Sequence, residues 1–487
     1  MSDEIRLILV NYTKNYEIEQ LSRMFFKKLS VDIADRRDRS VKNDLIYIRR
    51  GRKGFFIFLD CPKGRGGDWL TPEKNGLKEE MQLCIAAYRL YMKVTGEGLP
   101  WGVLTGVRPV SLMRRLYARM GDMEKVRKAF SDISLGSDEK IKLREDVYRI
   151  QKPILEGTSF NDFSMYISIP FCPSRCNYCS FVSVSIKSAG HLMQGYVDRL
   201  CDEIRYTAKR AKECDMNLRT IYMGGGTPTA ISRAQLEQVM KTVAECFDLS
   251  RVEEYTVEAG RPDCTDREKL EVIKKYGAGR ISINPQTLSD NVLRAIGREH
   301  SVRDFFDCVK TAREVGFDSI NMDLIAGLPE DTVEGFEKSL RGCIELGAEN
   351  ITVHTLTLKR ASNLVIKNEE HVYDDVERMI EKNRMLYDSG YMPYYMYRQK
   401  STVKNLENVG FSQIGHESLY NIYIMEEVQT IISCGAGGVS KVIGKNGEIK
   451  RISNFKYPNE YNKDFEAILK RKDEVFDIWQ QFGSQKG

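Results

Sequence analysis

From about residue 165 to 390 the chain repeats one pattern: a short apolar run, then a longer stretch with apolar residues at helical spacing. The apolar runs fall at 165–169, 219–223, 253–258, 280–284, 318–324 and 350–356. Runs of this length read as strands, and the stretches between them as amphipathic helices. After the second run, Ser232 and Gln235 form a capping box, and Leu236, Val239, Met240 and Val243 supply the buried stripe of the helix that follows. Six strand–helix units in succession predict a parallel sheet with right-handed crossovers. An open doubly wound sheet and a partial barrel both satisfy this pattern.

On either side the period changes. Residues 1–155 read as a separate α+β domain. Ile5 to Val10 predicts a strand, and Tyr16 to Leu29 a helix with Ile18, Leu21, Phe25 and Leu29 on one face. Leu45 to Ile48 and Phe55 to Leu59 predict a hairpin turning at Arg49 to Gly54, and a longer helix covers Leu77 to Met92. Pro100 to Leu116, with the segment LTGVRP inside it, reads as a loop leading into a helix, and 121–155 as further helix. Residues 391–487 are less regular and read as a C-terminal, substrate-side accessory region. There Tyr391, Tyr394, Tyr395 and Tyr397 precede Arg398 and Lys400. Such a stretch could stack on a flat ligand bearing carboxylates or form an amphipathic edge strand. Gly435 to Gly438 predicts a close backbone approach of the kind a ligand would need, and the tail from Glu460 a surface helix.

Composition narrows the function classes. The 487 residues exceed one ordinary domain, and 42% hydrophobic content suffices for full cores. A net charge of +5 is small for this length and does not imply nucleic acid. The mixed-charge run Asp35 to Arg39 and the basic run Arg49 to Gly54 read as solvated faces. No apolar run approaches the roughly 20 residues of a membrane span. The acidic, strand-like start is unlike a signal peptide. Nine of the twelve cysteines are scattered; Cys84, Cys201, Cys246, Cys308 and Cys343 fall in helix-like patterns. They are expected to be small buried hydrophobes in a cytoplasmic protein.

The chemistry gathers at the ends of the predicted strands. The first runs into a loop bearing Cys172, Cys176 and Cys179 in C-x3-C-x2-C spacing. Three thiolates can ligate three corners of an iron–sulfur cube and leave one iron open. A zinc knuckle would need a further ligand, and the nearest candidate, His191, has no paired ligand beside it. The second strand ends in Gly224, Gly225, Gly226 and Thr227, the third in Glu258, and the fourth leads to Gln286. The fifth ends in Asp323, and the sixth runs to Leu356 and Thr357. Either carboxylate could hold a ribose hydroxyl or an amine, or simply cap a helix. Polar groups at all six ends converge only if the sheet curls, which favours barrel geometry with a site at its C-terminal mouth.

The cysteine motif YISIPFCPSRCNYC, with MGGGTPT, RISINPQ and MDLIAGLP, resembles the radical S-adenosylmethionine (SAM) enzymes and, within them, the oxygen-independent coproporphyrinogen III oxidase group. The segments LTGVRP, VHTLTLKR and YYMYRQK look most like its HemZ-type branch. The resemblance implies an α/β fold: a partial (β/α)6 TIM-type radical SAM barrel over 160–390, with the N-terminal α+β domain and a C-terminal extension. It implies a [4Fe-4S] cluster on Cys172, Cys176 and Cys179, with SAM on the open iron. It places Tyr166, Tyr178, Gly225, Gly226, Thr227, Glu258, Gln286, Arg298, Asp323 and Thr357 at positions that contact SAM, which in some members a second SAM shares. The reduced cluster of such enzymes cleaves SAM to a hydrogen-abstracting 5′-deoxyadenosyl radical. Implied partners are a tetrapyrrole or haem and an electron donor such as flavodoxin or ferredoxin.

Two positions depart from the oxidase pattern. Oxidases carry a further cysteine where this chain has Phe181, and a histidine where it has Ser168. That combination is closer to relatives that bind haem and pass it on. Three functions therefore follow from the resemblance: oxidative decarboxylation of coproporphyrinogen III, haem carriage, and radical modification of haem such as methylation.

Overall fold

The computed structural model describes residues 4–26, 28–34, 44–74, 77–104, 106, 108–359, 362, 364, 375–399 and 402–484. The run Asp35 to Arg39, two residues of LTGVRP (105 and 107), Arg360 and Lys400 lie outside the described residues. The chain forms two compact units, 1–145 and 146–487.

The first unit is built on a five-stranded sheet in the order β2-β1-β3-β4-β5. Its strands are β1 (Glu4–Val10), β2 (Lys28–Ala34), β3 (Leu45–Arg50), β4 (Phe55–Cys61) and β5 (Gly64–Leu70). Leu7, Leu9, Ile46, Ile48, Ile57 and Leu59 bury one face against helices Tyr16–Phe25 and Glu79–Thr95. The hairpin expected at Arg49 to Gly54 forms, with the Gly51 N–H donating 2.7 Å to the Gly54 carbonyl. The first helix is shorter than its periodicity implied. Phe26 is extended (φ −127°, ψ 107°), and β2 follows, parallel to β1. Leu29 fits a helical face and also begins the alternation Leu29, Val31, Ile33, and strand pairing decides between them. The Gly-rich, polar β5 carries no apolar alternation and was not expected.

In the second unit all six expected strands form: β6 (Asp162–Ile169), β9 (Asn217–Gly225), β10 (Glu254–Glu258), β11 (Arg280–Ser282), β12 (Ser319–Ala326) and β13 (Asn350–Thr355). Between β6 and β9, two short strands, β7 (Phe171–Cys172) and β8 (Val184–Ser185), pair with each other and bracket the cysteine loop. The six long strands are mutually parallel and adjacent in chain order. Helices of the intervening segments bury one stripe each, and helix Arg233–Cys246 carries the expected Ser232–Gln235 capping box.

The C-terminal region adds strands to both margins of this sheet, giving the order β14-β15-β13-β12-β11-β10-β9-β6-β16-β17-β18. They are β14 (Met392–Arg398), β15 (Glu407–Ser412), β16 (Thr430–Cys434), β17 (Val439–Ile443) and β18 (Ile449–Ser453). β16 runs parallel to β6, whereas β15 runs antiparallel to β13. The last helix, Phe465–Ser484, is more than a surface helix: it buries Ile468, Lys472, Val475, Phe476, Trp479 and Phe482. Among the described residues no helix is long and apolar enough to cross a membrane.

Candidate functional site

One cavity of about 290 Å³ opens at the C-terminal ends of the six parallel strands. It is lined by residues from every one of those ends. An open, flat sheet would spread these ends along a line, so the shared cavity reflects a curled sheet.

The cysteine loop leaves β6 and is tied down along its length. Gly226 N–H donates to the Ile169 carbonyl and Thr227 N–H to the Phe171 carbonyl, both at 2.8 Å. Farther on, Asn177 N–H donates 2.9 Å to the Ile296 carbonyl, and the Val184 N–H 2.8 Å to the Pro170 carbonyl. Cys172, Cys176 and Cys179 all line the cavity, and none is in a disulfide. Thr227 Oγ1 lies 3.6 Å from the Cys172 sulfur, and Arg261 Nη1 3.4 Å from the Cys176 sulfur. Among the described residues no three His, Cys, Asp or Glu side chains are grouped so as to hold a single metal ion. Three thiols lining one cavity are the donor type and number that a cluster with one open iron needs. His191 is exposed on the short turn Gly190–Leu192 and lines no part of the cavity.

The glycines at the end of β9 pack against the cysteine loop and the next strand, and Gly225 and Gly226 line the cavity. A Cβ on Gly226 would stand 2.7 Å from the Phe171 carbonyl oxygen and 3.0 Å from the Cys172 sulfur. One on Gly224 would stand 2.9 Å from the Glu258 carboxyl group. Gly225 has φ +115°, a conformation that L side chains rarely adopt.

Glu258 and Asp323 line the cavity, and neither caps a helix. Asp266 and Thr332 cap the helices that follow them. Glu258 accepts a 2.7 Å hydrogen bond from the Tyr222 hydroxyl. Burial, with the Asp323 charge adding to it, pushes its carboxyl up to about 7 against the Tyr222 bond. Asp323 is half-buried, and its partners outweigh the cost of that burial. His354 stands 3.7 Å away, Asn321 donates at 2.8 Å, and its pKa is lowered. Two carboxylates at one cavity are thus driven apart in acidity. Tyr166 stacks on Tyr222 and Tyr420, each at a ring-centroid distance of 6.2 Å, and joins the cavity lining from β6.

The other expected residues are also at this cavity. Gln286 is held at φ +66°, uncommon for a side-chain-bearing residue, by its N–H on the Asp323 carbonyl (2.9 Å) and its carbonyl on the Ile325 N–H (3.0 Å). Arg298 donates to the Gly260 carbonyl at 2.8 Å and to the Tyr178 hydroxyl at 3.1 Å, joining the cysteine loop to β10. Its buried Nε has no hydrogen-bond partner. Thr357 reaches the cavity beside Thr402, 3.1 Å away.

Several expectations change. Ser168 does not line the cavity; its Oγ donates 2.7 Å to the Ala436 carbonyl. Gly435 to Gly438 approach protein, since a Cβ on Gly435 would meet the Tyr196 hydroxyl at 2.5 Å and the Ser168 carbonyl oxygen at 2.6 Å. In the tyrosine-rich stretch, a bulge between Pro393 and Tyr395 turns both Tyr394 and Tyr395 inward. Tyr391 and Arg398 are buried on the Ala348 and Asn405 carbonyls, so Tyr397 alone of these five reaches the cavity. Among the cavity residues not singled out from the sequence are Arg175, Arg261, His354 and Lys359. Arg261 and its neighbour Asp263, beside Pro262, follow a strand end that already carried Glu258, which was the available signal.

Residues 166–342 match the family model of the radical SAM superfamily. The chain is 39% identical over 412 residues to the oxygen-independent coproporphyrinogen-III oxidase-like protein HemZ of Bacillus subtilis (strain 168), covering 82% of each chain. It is 37% identical over 213 residues to the heme chaperone HemW of the same organism, covering 43% of this chain and 55% of that one. Among solved structures, coproporphyrinogen III oxidase (HemN) from Escherichia coli has the same fold, with a TM-score of 0.52 at 23% identity over 65% of this chain and 72% of that one.

Proposed function

The chain belongs to the radical SAM superfamily, in the group of oxygen-independent coproporphyrinogen-III oxidase-like proteins, and from that premise we propose that it oxidatively decarboxylates coproporphyrinogen III to protoporphyrinogen IX. The family implies a [4Fe-4S] cluster and SAM. The single observation that carries the reading is the meeting of the three thiols, the glycine wall and the two carboxylates of unlike acidity at one cavity.

In this reading Cys172, Cys176 and Cys179 hold the cluster. Tyr166, Tyr178, Gly225, Gly226, Thr227, Glu258, Gln286, Arg298, Asp323 and Thr357 surround SAM. When bound, cluster and SAM together supply a hydrogen-abstracting radical. Asp323 stays ionised at neutral pH, while Glu258 can hold or release a proton there. The rim carries Phe181, 68% exposed, with the Lys359 ammonium 6.0 Å from its ring centre. An aromatic face beside a cation suits a flat ring bearing carboxylates. Each propionate loses a hydrogen atom and carbon dioxide and passes one electron to an external acceptor, leaving a vinyl group. A flavodoxin- or ferredoxin-type donor would reduce the cluster, and a second SAM could share the cavity.

A second reading, haem carriage, is favoured by Ser168 and Phe181. The Ser168 side chain is committed to the Ala436 carbonyl, and Phe181 stands where oxidases carry a cysteine. The deciding experiment incubates anaerobically reconstituted protein with SAM, reductant and coproporphyrinogen III, followed by product mass analysis. Protoporphyrinogen IX and two equivalents of carbon dioxide are expected. SAM cleavage without these products would overturn the oxidase reading. Stoichiometric haem binding with transfer to an apo-protein would then establish the carrier, and a methylated haem a radical methylase.

A further inference from the structure

Beyond β10, Arg261 enters the short turn Pro262–Cys264, and its side chain is 5% exposed. A buried guanidinium is costly unless its donors and its charge are met. Here Nε and Nη2 each donate 2.8 Å to one oxygen of Asp263, a bidentate fork. Nη2 also reaches Ser174 Oγ at 3.0 Å, and Nη1 lies 3.4 Å from the Cys176 sulfur. Ser174 and Cys176 both belong to the cysteine loop. The guanidinium is therefore fixed on one side by a carboxylate two residues away and presents its other side to a thiol 85 residues away in sequence.

The surroundings keep this arrangement intact. Burial works against the Arg261 charge, but the bonds to Asp263 and the nearby Cys176 raise its pKa further still. His300 stands 3.8 Å from Asp263, and burial pushes it down to about 4, so at neutral pH it carries no charge to compete for the carboxylate. Arg298, a second cation nearby, places its two Nη atoms on carbonyls and the Tyr178 hydroxyl, while its Nε has no hydrogen-bond partner. Arg261 thus holds an N–H at the Cys176 sulfur, in a buried place where charge is weakly screened.

We propose that Arg261, locked by Asp263, is a positioning residue that makes an iron–sulfur cluster on Cys172, Cys176 and Cys179 easier to reduce. The inference rests on the cluster reading given above. Reduction adds one negative charge to the cluster and its thiolates. A fixed cation with an N–H directed at one of those sulfurs stabilises the reduced state more than the oxidised one. Lysine would keep the charge and lose the fork, and glutamine would lose the charge.

The test is an anaerobic redox titration of the reconstituted full-length protein, followed by electron paramagnetic resonance, with iron per chain measured in parallel. Arg261→Gln should keep its iron and make one-electron reduction about tenfold less favourable, a fall of about 59 mV. Arg261→Lys should fall between Arg261→Gln and the natural protein. An unchanged potential in iron-replete Arg261→Gln would overturn the proposal. Loss of iron from both variants, with circular dichroism intact, would assign the fork to holding the loop and overturn the redox role equally. Failure of the natural protein itself to take up iron would overturn the cluster reading, and this proposal with it.

Discussion

Two glycine-rich turns flank the first barrel strand, and they differ in what they let close. Gly224 to Gly226, at the end of β9, clear space for the Glu258 carboxyl and for the Cys172 sulfur. Gly435 to Gly438, at the end of β16, clear space for the Tyr196 hydroxyl, the Ser168 carbonyl and the Ser433 hydroxyl. Behind the second turn lies a closed polar network. Buried Glu203 accepts from Gly435 N–H (2.7 Å), Asn454 (2.9 Å) and Tyr461 (2.5 Å), and pairs with Lys472 at 2.9 Å. Nothing in that network faces the cavity. A glycine run therefore says that something comes near; its neighbours in the fold decide whether that is ligand or protein.

The sharpest break between the two turns is Cys176→Ala. It should remove the cluster, seen as complete loss of visible absorbance and bound iron, while thermal unfolding still shows a cooperative transition for the Gly435 side. A cluster that survives would contradict the ligand assignment. Gly435→Ala should do the reverse. With φ +98° and a Cβ 2.6 Å from a backbone oxygen, it is expected to cost about 3–5 kcal/mol in denaturant unfolding. The residual folded protein should still bind iron.

Glu258, which packs against Gly224, gives a smaller, pH-dependent effect. Its carboxyl is pushed by burial from its ordinary value of 4.5 up to about 7 in the folded chain. The folded state then holds the extra proton between these values. The stabilisation is full below about pH 4.5 and lost as the pH rises to about 7, about 3 kcal/mol in all. Glu258→Gln should flatten that part of the stability–pH curve; an unchanged slope would count against a buried, protonated Glu258. Gly226→Ala should be milder for the fold, about 1–3 kcal/mol, because Gly226, unlike Gly435, is not at positive φ and chiefly its contact with the Phe171 carbonyl must relax. It should weaken cluster binding about tenfold, read by chelator challenge.

The six parallel strands were legible because strands buried on both faces leave apolar runs that polar helices separate. The cysteine loop was legible because its spacing is local. What escaped depended on distant partners or on ambiguous local signals. β2 was hidden because Leu29 suits a helix as well as a strand, and β5 because a Gly-rich edge has no apolar rhythm. The C-terminal strands join the sheet only through pairing with β6 and β13, far earlier in the chain. The inward turn of Tyr394 and Tyr395 follows from one bulge, and the Arg261 contact from two loops meeting. Neither leaves a local periodicity to read.

The central claim, that the three-cysteine loop and the carboxylate-lined cavity form one cluster-and-SAM site, is tested most directly by electron paramagnetic resonance of the reduced, reconstituted protein with and without SAM. About four irons per chain and a spectrum that changes when SAM is added are expected. A full cluster whose spectrum is indifferent to saturating SAM would contradict it.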